Sequence, residues 1–174
     1  MKTYDRELEL GFEVSAAKAI KIITRENIEI LNQNIIHQMW LEDGKVGDYK
    51  FRTRIRKTEV EYQGALIGAS ECKFTTKYSK NDETAAEQDN MELNAEITLE
   101  EYEKLKKIYE AAGKEEVMKI RTFLREPLGF STLYVFDTYP NEEGDRARIE
   151  IEFKSKEEMY RWKAPDWLNE LVGK

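Results

Sequence analysis

Cysteine and histidine are nearly absent from the sequence. Its 174 residues include one of each, Cys72 and His37. An internal disulfide needs a second cysteine, and one sulfur with one imidazole cannot complete a four-ligand zinc site. The sequence therefore excludes the disulfide-rich and zinc-finger classes. It is typical of an intracellular protein, which we expect to be cytoplasmic.

Long apolar runs and a surplus of basic residues are also missing. No hydrophobic stretch approaches the roughly 20 residues that a membrane-spanning helix needs, so we expect no membrane partner. Asp and Glu number 35 against 28 Lys and Arg, which gives a net charge of −7. General nucleic-acid-binding proteins usually carry a net positive charge. The composition therefore excludes general nucleic-acid binding, and any basic site must be a local concentration of charge.

Internal repeats, low-complexity tracts and interdomain linkers are missing as well. Hydrophobic residues make up 40% of the chain, which is enough to build the core of one domain of this length. We therefore expect residues 1–174 to fold as a single domain.

A row of arginines is the most informative feature that is present. In residues 51–57 (FRTRIRK), Arg52, Arg54 and Arg56 alternate with mostly apolar residues. Successive side chains of a β-strand point to opposite faces, so this segment predicts a strand with one cationic face. That face is either the solvated side of a half-buried strand or a surface along which a polyanion lies.

Other segments repeat this alternation, and their charged faces are acidic in some and basic in others. The predicted strands are residues 4–12, 34–41, 51–57, 71–78, 91–97, 117–124, 131–138 and 148–154. Residues 58–70 are expected to be a glycine-punctuated connection. Residues 79–90 are expected to be an exposed loop, which is a poor place to look for chemistry.

Capping residues mark the starts of three predicted helices. They are Ser15, Thr98 with Glu101, and Ser155 with Glu158. The serine or threonine side chain can accept a hydrogen bond from a backbone N–H of the first helical turn, and the glutamate side chain can accept one from the backbone N–H of the serine or threonine. A terminal segment from residue 165 is expected to dock through its apolar side chains.

Eight strands and three helices predict an α+β fold built on a closed, eight-stranded antiparallel β-barrel. The helices have apolar faces, which must cover apolar strand faces on the outside of the barrel. The charged strand faces then point inward and line a tunnel. The alternative is an open sheet whose charged face is solvated. Segregation of acidic and basic residues into separate strands favours the barrel.

The charged side chains would share one lumen. Burying them unpaired would be costly, so the lumen is expected to be a hydrated binding tunnel. Carboxylate oxygens suit Mg²⁺ or Mn²⁺, and guanidinium and ammonium groups suit phosphate. The lumen therefore predicts a site for a metal–polyphosphate complex. Its predicted members are Glu7, Glu9, Glu92, Glu96, Glu150, Glu152, Arg52, Arg54, Arg56, Lys73, Lys77, Lys119 and Arg121.

The order of these segments resembles that of the CYTH family, or triphosphate tunnel metalloenzymes, which includes inorganic, thiamine and RNA triphosphatases and class IV adenylyl cyclases. Residues 7–11 (ELELG) resemble the family's Glu-x-Glu-x-Lys signature, and residues 52–56 (RTRIR) resemble its arginine strand. The resemblance covers nearly the whole chain. The other segments that carry it are 74–77 (FTTK), 92–96 (ELNAE), 119–121 (KIR), 135–137 (VFD), 150–152 (EIE) and 165–168 (PDWL).

The resemblance implies metal-dependent hydrolysis of a triphosphate carried by a small molecule or nucleotide. The implied phosphate-binding residues are Arg52, Arg54, Arg56, Lys73, Lys77, Lys119 and Arg121. The implied ligands of Mg²⁺ or Mn²⁺ are Glu7, Glu9, Glu150, Glu152 and Asp137. The implied catalytic residues are Glu7, Glu9, Glu150, Glu152 and Lys119. An organic or nucleoside triphosphate is favoured slightly over free tripolyphosphate.

Two positions depart from the family pattern. Gly11 stands where the signature has its lysine, and Asn94 stands where members often have a third glutamate. One implied phosphate ligand is therefore missing, while Glu7 and Glu9 remain for a metal. Two alternatives to hydrolysis stay open: a non-catalytic binder of nucleotides or polyphosphate, and a class IV-type adenylyl cyclase.

Overall fold

Eight antiparallel strands close into a barrel. The computed structural model describes the backbone of residues 2–62, 65–80, 87–126 and 132–174, and the side chains of residues 7–61, 70–80, 88–126 and 132–174. The strands are β1 (Lys2–Ser15), β2 (Glu29–Val46), β3 (Tyr49–Tyr62), β4 (Ala65–Ser79), β5 (Glu87–Ile97), β6 (Val117–Arg125), β7 (Leu133–Thr138) and β8 (Arg146–Phe153). Their order around the barrel is β1-β5-β4-β3-β2-β6-β7-β8. The predicted α+β fold is confirmed.

Helices cover the outside of the barrel. They are α1 (Ala16–Arg25), α2 (Leu99–Ala111), α3 (Lys156–Arg161) and α4 (Asp166–Val172). The side chains of Ser15, Thr98 and Ser155 each accept a hydrogen bond from a backbone N–H in the first turn, as their sequence context predicts. Helix α4 is the terminal segment that was expected to dock, and its Trp167 and Leu168 are buried. No helix within the described ranges is long and apolar enough to cross a membrane.

The apolar faces of the strands point outward and pack under the helices. One cluster joins Ile22 of α1 and Leu168 of α4 to Ile149 of β8. A second cluster joins Tyr102 of α2 to Ile55 of β3. Burying an apolar side chain of this size contributes about 1.5–3 kcal/mol. Because the apolar faces are used outside, the alternate residues of the same strands face the interior.

Residues 58–62 and 65–70 are strand and not the connection that the glycines of this segment suggested, whereas residues 63–64 lie outside the described residues. Strand β3 continues to Tyr62, and β4 begins at Ala65, directly opposite it. A register shift between Thr58 and Val60 interrupts the regular pairing. Irregularities of this kind absorb an extra residue without ending a strand, so the alternation is lost there while the hairpin continues.

Part of the predicted loop at residues 79–90 is also strand. Strand β5 begins at Glu87, so Gln88 and Asn90 belong to it, whereas residues 81–86 lie outside the described residues. The side chains of Gln88 and Asn90 face the barrel interior. Polar residues that face a hydrated interior lack the apolar alternation by which strands are recognised. That is why this part of β5 was missed.

The other predicted strands are present with different bounds. Strand β2 runs from Glu29 to Val46, well beyond the predicted 34–41. Register shifts interrupt its pairing with both neighbouring strands, and such irregularities break the apolar alternation by which the full length of a strand is recognised. The predicted start of the seventh strand, Ser131, lies outside the described residues, and β7 begins at Leu133.

Candidate active site

A polar cavity of about 410 Å³ lies inside the barrel. Strand β3 stands opposite β8 in the barrel order. The arginine row of β3 (Arg52, Arg54 and Arg56) therefore faces an acidic wall on β1 and β8 (Glu7, Glu9, Glu150 and Glu152). Ten of the predicted site residues line the cavity: Glu7, Glu9, Arg52, Arg54, Arg56, Lys77, Lys119, Arg121, Glu150 and Glu152. Lys73, Glu96 and Asp137 are not among the lining residues, and neither is Glu92, which is buried and accepts a hydrogen bond from Arg54.

The arginine row has more hydrogen-bond donors than partners. Arg54 Nη2 donates to Glu92 Oε1 at 3.0 Å, and Arg56 Nη2 donates to Gln38 Oε1 at 3.0 Å. The Nε atoms of Arg54 and Arg56 are buried and have no hydrogen-bond partner within the described parts of the chain. Burial and the charges of Arg54 and Arg121 lower the pKa of Arg56 to about 9. This excess of cationic donors favours an anion in the cavity.

A buried ion cluster joins β6 to β7. Lys119 Nζ lies 2.7 Å from Asp137 Oδ2, and Arg121 donates from Nε to Oδ1 at 2.8 Å and from Nη2 to Oδ2 at 2.7 Å. Burial alone would raise the pKa of Asp137, but the hydrogen bonds and charge of Arg121, together with Lys119, hold it well below its usual range. Both oxygens of Asp137 are therefore occupied by cations, and this residue orients the two basic side chains from behind the cavity wall.

Lys119 differs from an ordinary lysine in its proton affinity. Burial and repulsion from Arg121 and Arg56 lower its pKa to about 7, although Asp137 works in the opposite direction. A lysine with this pKa can give up or take a proton near neutral pH. Lys119 could therefore act as a general acid or base on a phosphate ester or a water molecule in the cavity.

The acidic wall forms where β1 pairs with β8. Glu9 stands opposite Glu152, and Gly11 stands opposite Glu150. Glu7 Oε2 lies 2.8 Å from Lys77 Nζ. Glu150 Oε1 lies 2.6 Å from Arg148 Nε, and its Oε2 lies 3.3 Å from Arg121 Nη2. Basic side chains thus already hold two of the four carboxylates.

Glu9 is the most deeply buried carboxylate of the acidic wall, and its basic neighbours among the described residues are not in hydrogen-bond contact with it. It is 4% exposed, and its nearest basic atoms, on Arg148 and Lys77, lie 3.8 and 4.0 Å away. Burial, followed by repulsion from Glu150 and Glu7, raises the pKa of Glu9 to about 7. The pKa of Glu152 is raised as well, chiefly by burial. The acidic wall therefore holds more negative charge than its neighbours neutralise.

The acidic wall suits a divalent cation in its chemistry. Carboxylate oxygens are the ligands that Mg²⁺ and Mn²⁺ prefer, and a cation among them would relieve the repulsion that acts on Glu9. Among the described residues, no group of three or more His, Cys, Asp or Glu side chains stands ready to hold a metal ion. Instead, the Glu7 carboxylate pairs with Lys77, and the Glu150 carboxylate pairs with Arg148. A cation would bind when those two carboxylates exchange their basic partners for it.

Several polar residues that line the cavity are not among the site residues predicted from the sequence. Asn90 is 2% exposed, its Nδ2 donates to Gln88 Oε1 at 3.2 Å, and its buried Oδ1 has no hydrogen-bond partner within the described residues. Gln38 and Arg148 line the same cavity. The signal that could have identified them is position: Gln88 and Asn90 continue the spacing of two upstream of Glu92, and Arg148 does so upstream of Glu150.

Two of the charges predicted for the lumen lie elsewhere. The Lys73 side chain is 41% exposed and pairs with Glu71 at 2.8 Å, and Glu96 is exposed. The two stand opposite each other next to the last pair of the β4–β5 ladder, Cys72 and Ile97. They have the inward parity of their strands, but they stand at the end of the ladder, beyond the cavity lining.

A second cavity of about 440 Å³ adjoins the first. The two share Trp40, Lys50 and Arg52 in their walls. The Arg52 guanidinium lies over the Trp40 ring at 3.9 Å from its centroid, and that of Arg54 lies at 5.3 Å. The arginine row thus begins beside an aromatic ring at the edge of the tunnel.

No family model and no curated protein matches the sequence. The fold, however, is similar to that of solved structures. HpAC1 from Hippeastrum, a candidate adenylyl cyclase with a dominant triphosphatase activity, is 14% identical, with a TM-score of 0.57 over 97% of this chain and 96% of that one. A conserved hypothetical protein from Pyrococcus furiosus is 15% identical, with a TM-score of 0.56 over 96% and 90%.

A candidate adenylate cyclase from Bacillus halodurans is 13% identical, with a TM-score of 0.54 over 90% of this chain and 85% of that one. At these identities the likeness concerns the fold. Strand number, barrel closure and the near-complete coverage of both chains agree with the resemblance found in the sequence motifs. The chain therefore has a CYTH-type fold.

Proposed function

We propose that the chain binds the triphosphate group of a small molecule or nucleotide in its tunnel and hydrolyses it with a divalent cation. The observation that carries this proposal is the opposition of two incompletely compensated walls of opposite charge across one cavity inside the barrel. The Nε atoms of Arg54 and Arg56 lack acceptors among the described residues, and the pKa of Glu9 is raised to about 7. An anionic chain of phosphates with a bound cation satisfies both walls at once.

The phosphate site in this proposal consists of the inward basic residues. Lys73, which pairs with Glu71 outside the cavity, is not part of it. Asp137 takes a positioning role because both of its oxygens already accept hydrogen bonds. The remaining phosphate-binding residues are Arg52, Arg54, Arg56, Lys77, Lys119 and Arg121.

In the proposed mechanism, carboxylates of the acidic wall, Glu9 among them in its ionised form, would hold Mg²⁺ or Mn²⁺. The cation, when bound, supplies positive charge that offsets the charge developing on the transferred phosphoryl group. The arginine row orients the phosphates in line. Lys119, with its pKa near 7, is the residue that moves a proton at a reacting oxygen.

An organic or nucleoside triphosphate is the preferred substrate class in this proposal. The second cavity adjoins the arginine row at Trp40 and is lined by Leu41 and Phe51 as well as by charged residues. A ring system attached to the phosphate chain could pack against such aromatic and apolar walls. Free tripolyphosphate would leave this cavity unused.

The test is phosphate release from ATP, thiamine triphosphate, RNA 5′-triphosphate and tripolyphosphate, with Mn²⁺, with Mg²⁺ and with EDTA. We expect release that depends on the divalent cation and that falls at least about 100-fold in Glu9→Gln, since a lost transition-state contact of this kind typically costs 10²–10³ in rate. Glu100→Gln, at an exposed position on α2, is the control. Release that persists in EDTA, or that Glu9→Gln leaves intact, contradicts the proposal.

A non-catalytic binder of nucleotides or polyphosphate is the second candidate. The observation in its favour is that Lys77 and Arg148 already pair with Glu7 and Glu150, which keeps carboxylates from a metal. Calorimetry that detects tight binding of a triphosphate without any turnover over hours would support it.

Cyclase activity is a third candidate, and the likeness to the Bacillus halodurans and Hippeastrum proteins motivates it. It predicts cyclic AMP and pyrophosphate from ATP in place of ADP and phosphate. Chromatography of the same ATP reactions separates the two outcomes. Residues 1–174 are proposed to act as one unit, because the eight strands close a single barrel. A cytoplasmic location is proposed because Cys72 is unpaired.

A further inference from the structure

Gly11 leaves room inside the tunnel for the side chain of Arg148. A Cβ atom at position 11 would lie 2.6 Å from Arg148 Cζ and closer still to Nη2. The φ angle of Gly11 is not in the left-handed region that favours glycine. The backbone therefore does not require glycine here. What matters is the missing side chain, because any other residue at position 11 would displace the guanidinium.

Arg148 is fixed at one end and open at the other. Its Nε lies 2.6 Å from Glu150 Oε1. Its Nη2 and Nη1 come only within 3.8 Å of Glu9 Oε1 and 3.6 Å of Glu13 Oε1, beyond the usual range of a strong hydrogen bond. The side chain is 19% exposed and lines the cavity. Two donor nitrogens are thus held in the tunnel without a hydrogen bond among the described residues.

Arg148 is charged at neutral pH, as arginine side chains are in proteins. A charged guanidinium whose terminal nitrogens face a cavity is suited to bidentate binding of phosphate oxygens. Its place between the acidic wall and the cavity puts it where the far end of a bound phosphate chain would lie, across from the arginine row.

We propose that Arg148 is a substrate-binding residue whose guanidinium occupies the space left by Gly11 and donates from Nη1 and Nη2 to phosphoryl oxygens. The proposal rests on the proposed triphosphate site and adds a specific contact to it. It also gives Gly11 a role. The positive charge of the signature lysine that Gly11 replaces on β1 is supplied by Arg148 on β8, and the two positions form one matched pair.

A double-mutant cycle tests this pairing. The probe is tripolyphosphate, titrated calorimetrically in EDTA so that neither hydrolysis nor metal competition intervenes. Arg148→Ala is expected to weaken binding roughly 10- to 100-fold, the range for a charge-assisted contact. Gly11→Ala is expected to weaken binding in the parent protein, because its Cβ displaces the guanidinium. In the Arg148→Ala background the same change is expected to have no effect, since nothing is left to displace.

Rescue provides the second arm. Gly11→Lys combined with Arg148→Ala restores a cation to the same space, so it is expected to recover most of the lost affinity. Arg161→Ala, which removes an arginine with 78% of its side chain exposed, is the control and is expected to leave the affinity unchanged. Thermal melts without ligand establish that each variant folds. If Arg148→Ala does not fold, the same titrations are done with Arg148→Lys and with the Gly11→Lys, Arg148→Ala double variant.

The outcomes separate this inference from the proposed function. Parent protein that binds tripolyphosphate, with equal affinity in Arg148→Ala, overturns the role of Arg148 and leaves the proposed function standing. Additive effects of Gly11→Ala and Arg148→Ala overturn the matched pair. Parent protein that binds no triphosphate, with or without metal, overturns the proposed function and this inference together.

Discussion

Asp137 and Glu9 are both buried carboxylates in the same barrel, yet their pKa values move in opposite directions. Asp137 accepts hydrogen bonds from Lys119 and Arg121 at 2.7–2.8 Å, and its pKa is lowered. Glu9 has cations only at 3.8–4.0 Å and two carboxylates nearby, and its pKa is raised to about 7. Burial acts in the same direction on both, so the neighbours decide the outcome.

This difference distinguishes a carboxylate that has a structural role from a carboxylate that can bind a ligand in the same tunnel. A carboxylate with saturated oxygens has no capacity for a ligand, and its value lies in orienting its partners. A buried carboxylate without sufficient counter-charge is a destabilising feature that a cation can relieve, and such groups concentrate at functional sites. Glu9 is therefore the better candidate metal ligand, although the sequence motifs favour both residues.

The largest effect should come from breaking the saturated cluster. Asp137→Asn removes the carboxylate that pairs with buried Lys119 and leaves Arg121 with only the longer contact to Glu150 among the described residues. We expect the free energy of unfolding to fall by about 3–5 kcal/mol, as for other buried ion pairs that lose one partner. Urea denaturation of the parent and the variant measures it. Asp48→Asn, at an exposed position, is the control and should stay within about 0.5 kcal/mol. A loss below about 1 kcal/mol for Asp137→Asn would mean that its contacts do not stabilise the barrel.

The cationic side of the comparison can be tested through ligand binding. Arg121 is held by Asp137 through both Nε and Nη2, whereas Arg54 has one carboxylate partner and an Nε without an acceptor in the described residues. Arg54→Ala should therefore weaken triphosphate binding by about 1.5–3 kcal/mol. Lys104→Ala, which removes a side chain that is 70% exposed, should change binding by roughly 0–1 kcal/mol.

The measurement for Arg54 is a binding titration of both variants at two salt concentrations, with thermal melts in parallel. The difference between the variants should persist at the higher salt concentration, because screening acts less on enclosed charges. Equal affinities for Arg54→Ala and Lys104→Ala would mean that the arginine row behaves as a solvated outer face.

The acidic side of the comparison predicts a dependence on pH. The folded-state pKa of Glu9, about 7, lies above its unfolded value, so the folded state binds the extra proton between these two values. Stability from this group is therefore present at low pH and is lost as the pH rises toward 7. Glu9→Gln removes the penalty, and we expect it to stabilise the metal-free protein at pH 8 by about 1–2 kcal/mol with little change at pH 4.

Denaturation of the parent and Glu9→Gln at several pH values, with and without Mn²⁺, measures this prediction. Mn²⁺ should stabilise the parent at pH 8 more than it stabilises the variant, because the Glu9 carboxylate is largely ionised at this pH and the cation would offset its negative charge. The same stability difference at pH 4 and pH 8, together with no effect of Mn²⁺, would show that Glu9 is compensated in a way that the distances do not indicate.

The sequence was sufficient for the barrel and for the charged rows, because alternation with apolar residues identifies both a strand and its faces. Arg54 and Glu9 were placed correctly in the lumen on that basis. The limits are physical as well. Gln88 lies on a strand without apolar alternation, and Lys73 has the right parity but stands at the end of its ladder.

The contrast between Asp137 and Glu9 could not be read from the sequence at all. It depends on which side chains reach across from neighbouring strands, and on distances that differ by about an ångström. The role of Arg148 was hidden for the same reason: its guanidinium stands over Gly11, 137 positions away in the chain but adjacent in the barrel. Periodicity identifies the face of a strand, and only the closed barrel shows which side chains meet there.

The smallest effect should come from a neutral contact in the same barrel. This contact tests whether charge causes the difference between Asp137 and Glu9. Thr75 is 2% exposed, and its hydroxyl donates to Asn94 Oδ1 at 2.6 Å. Thr75→Val preserves the shape and removes the hydrogen bond, so we expect a loss of about 0.5–1.5 kcal/mol. Neither partner titrates, and the loss should therefore be equal at pH 5 and pH 8, unlike the pH-dependent stabilisation expected for Glu9→Gln. Urea denaturation at both pH values measures it, and a difference above about 1 kcal/mol between them would show that pH acts on the barrel by a route other than its buried carboxylates.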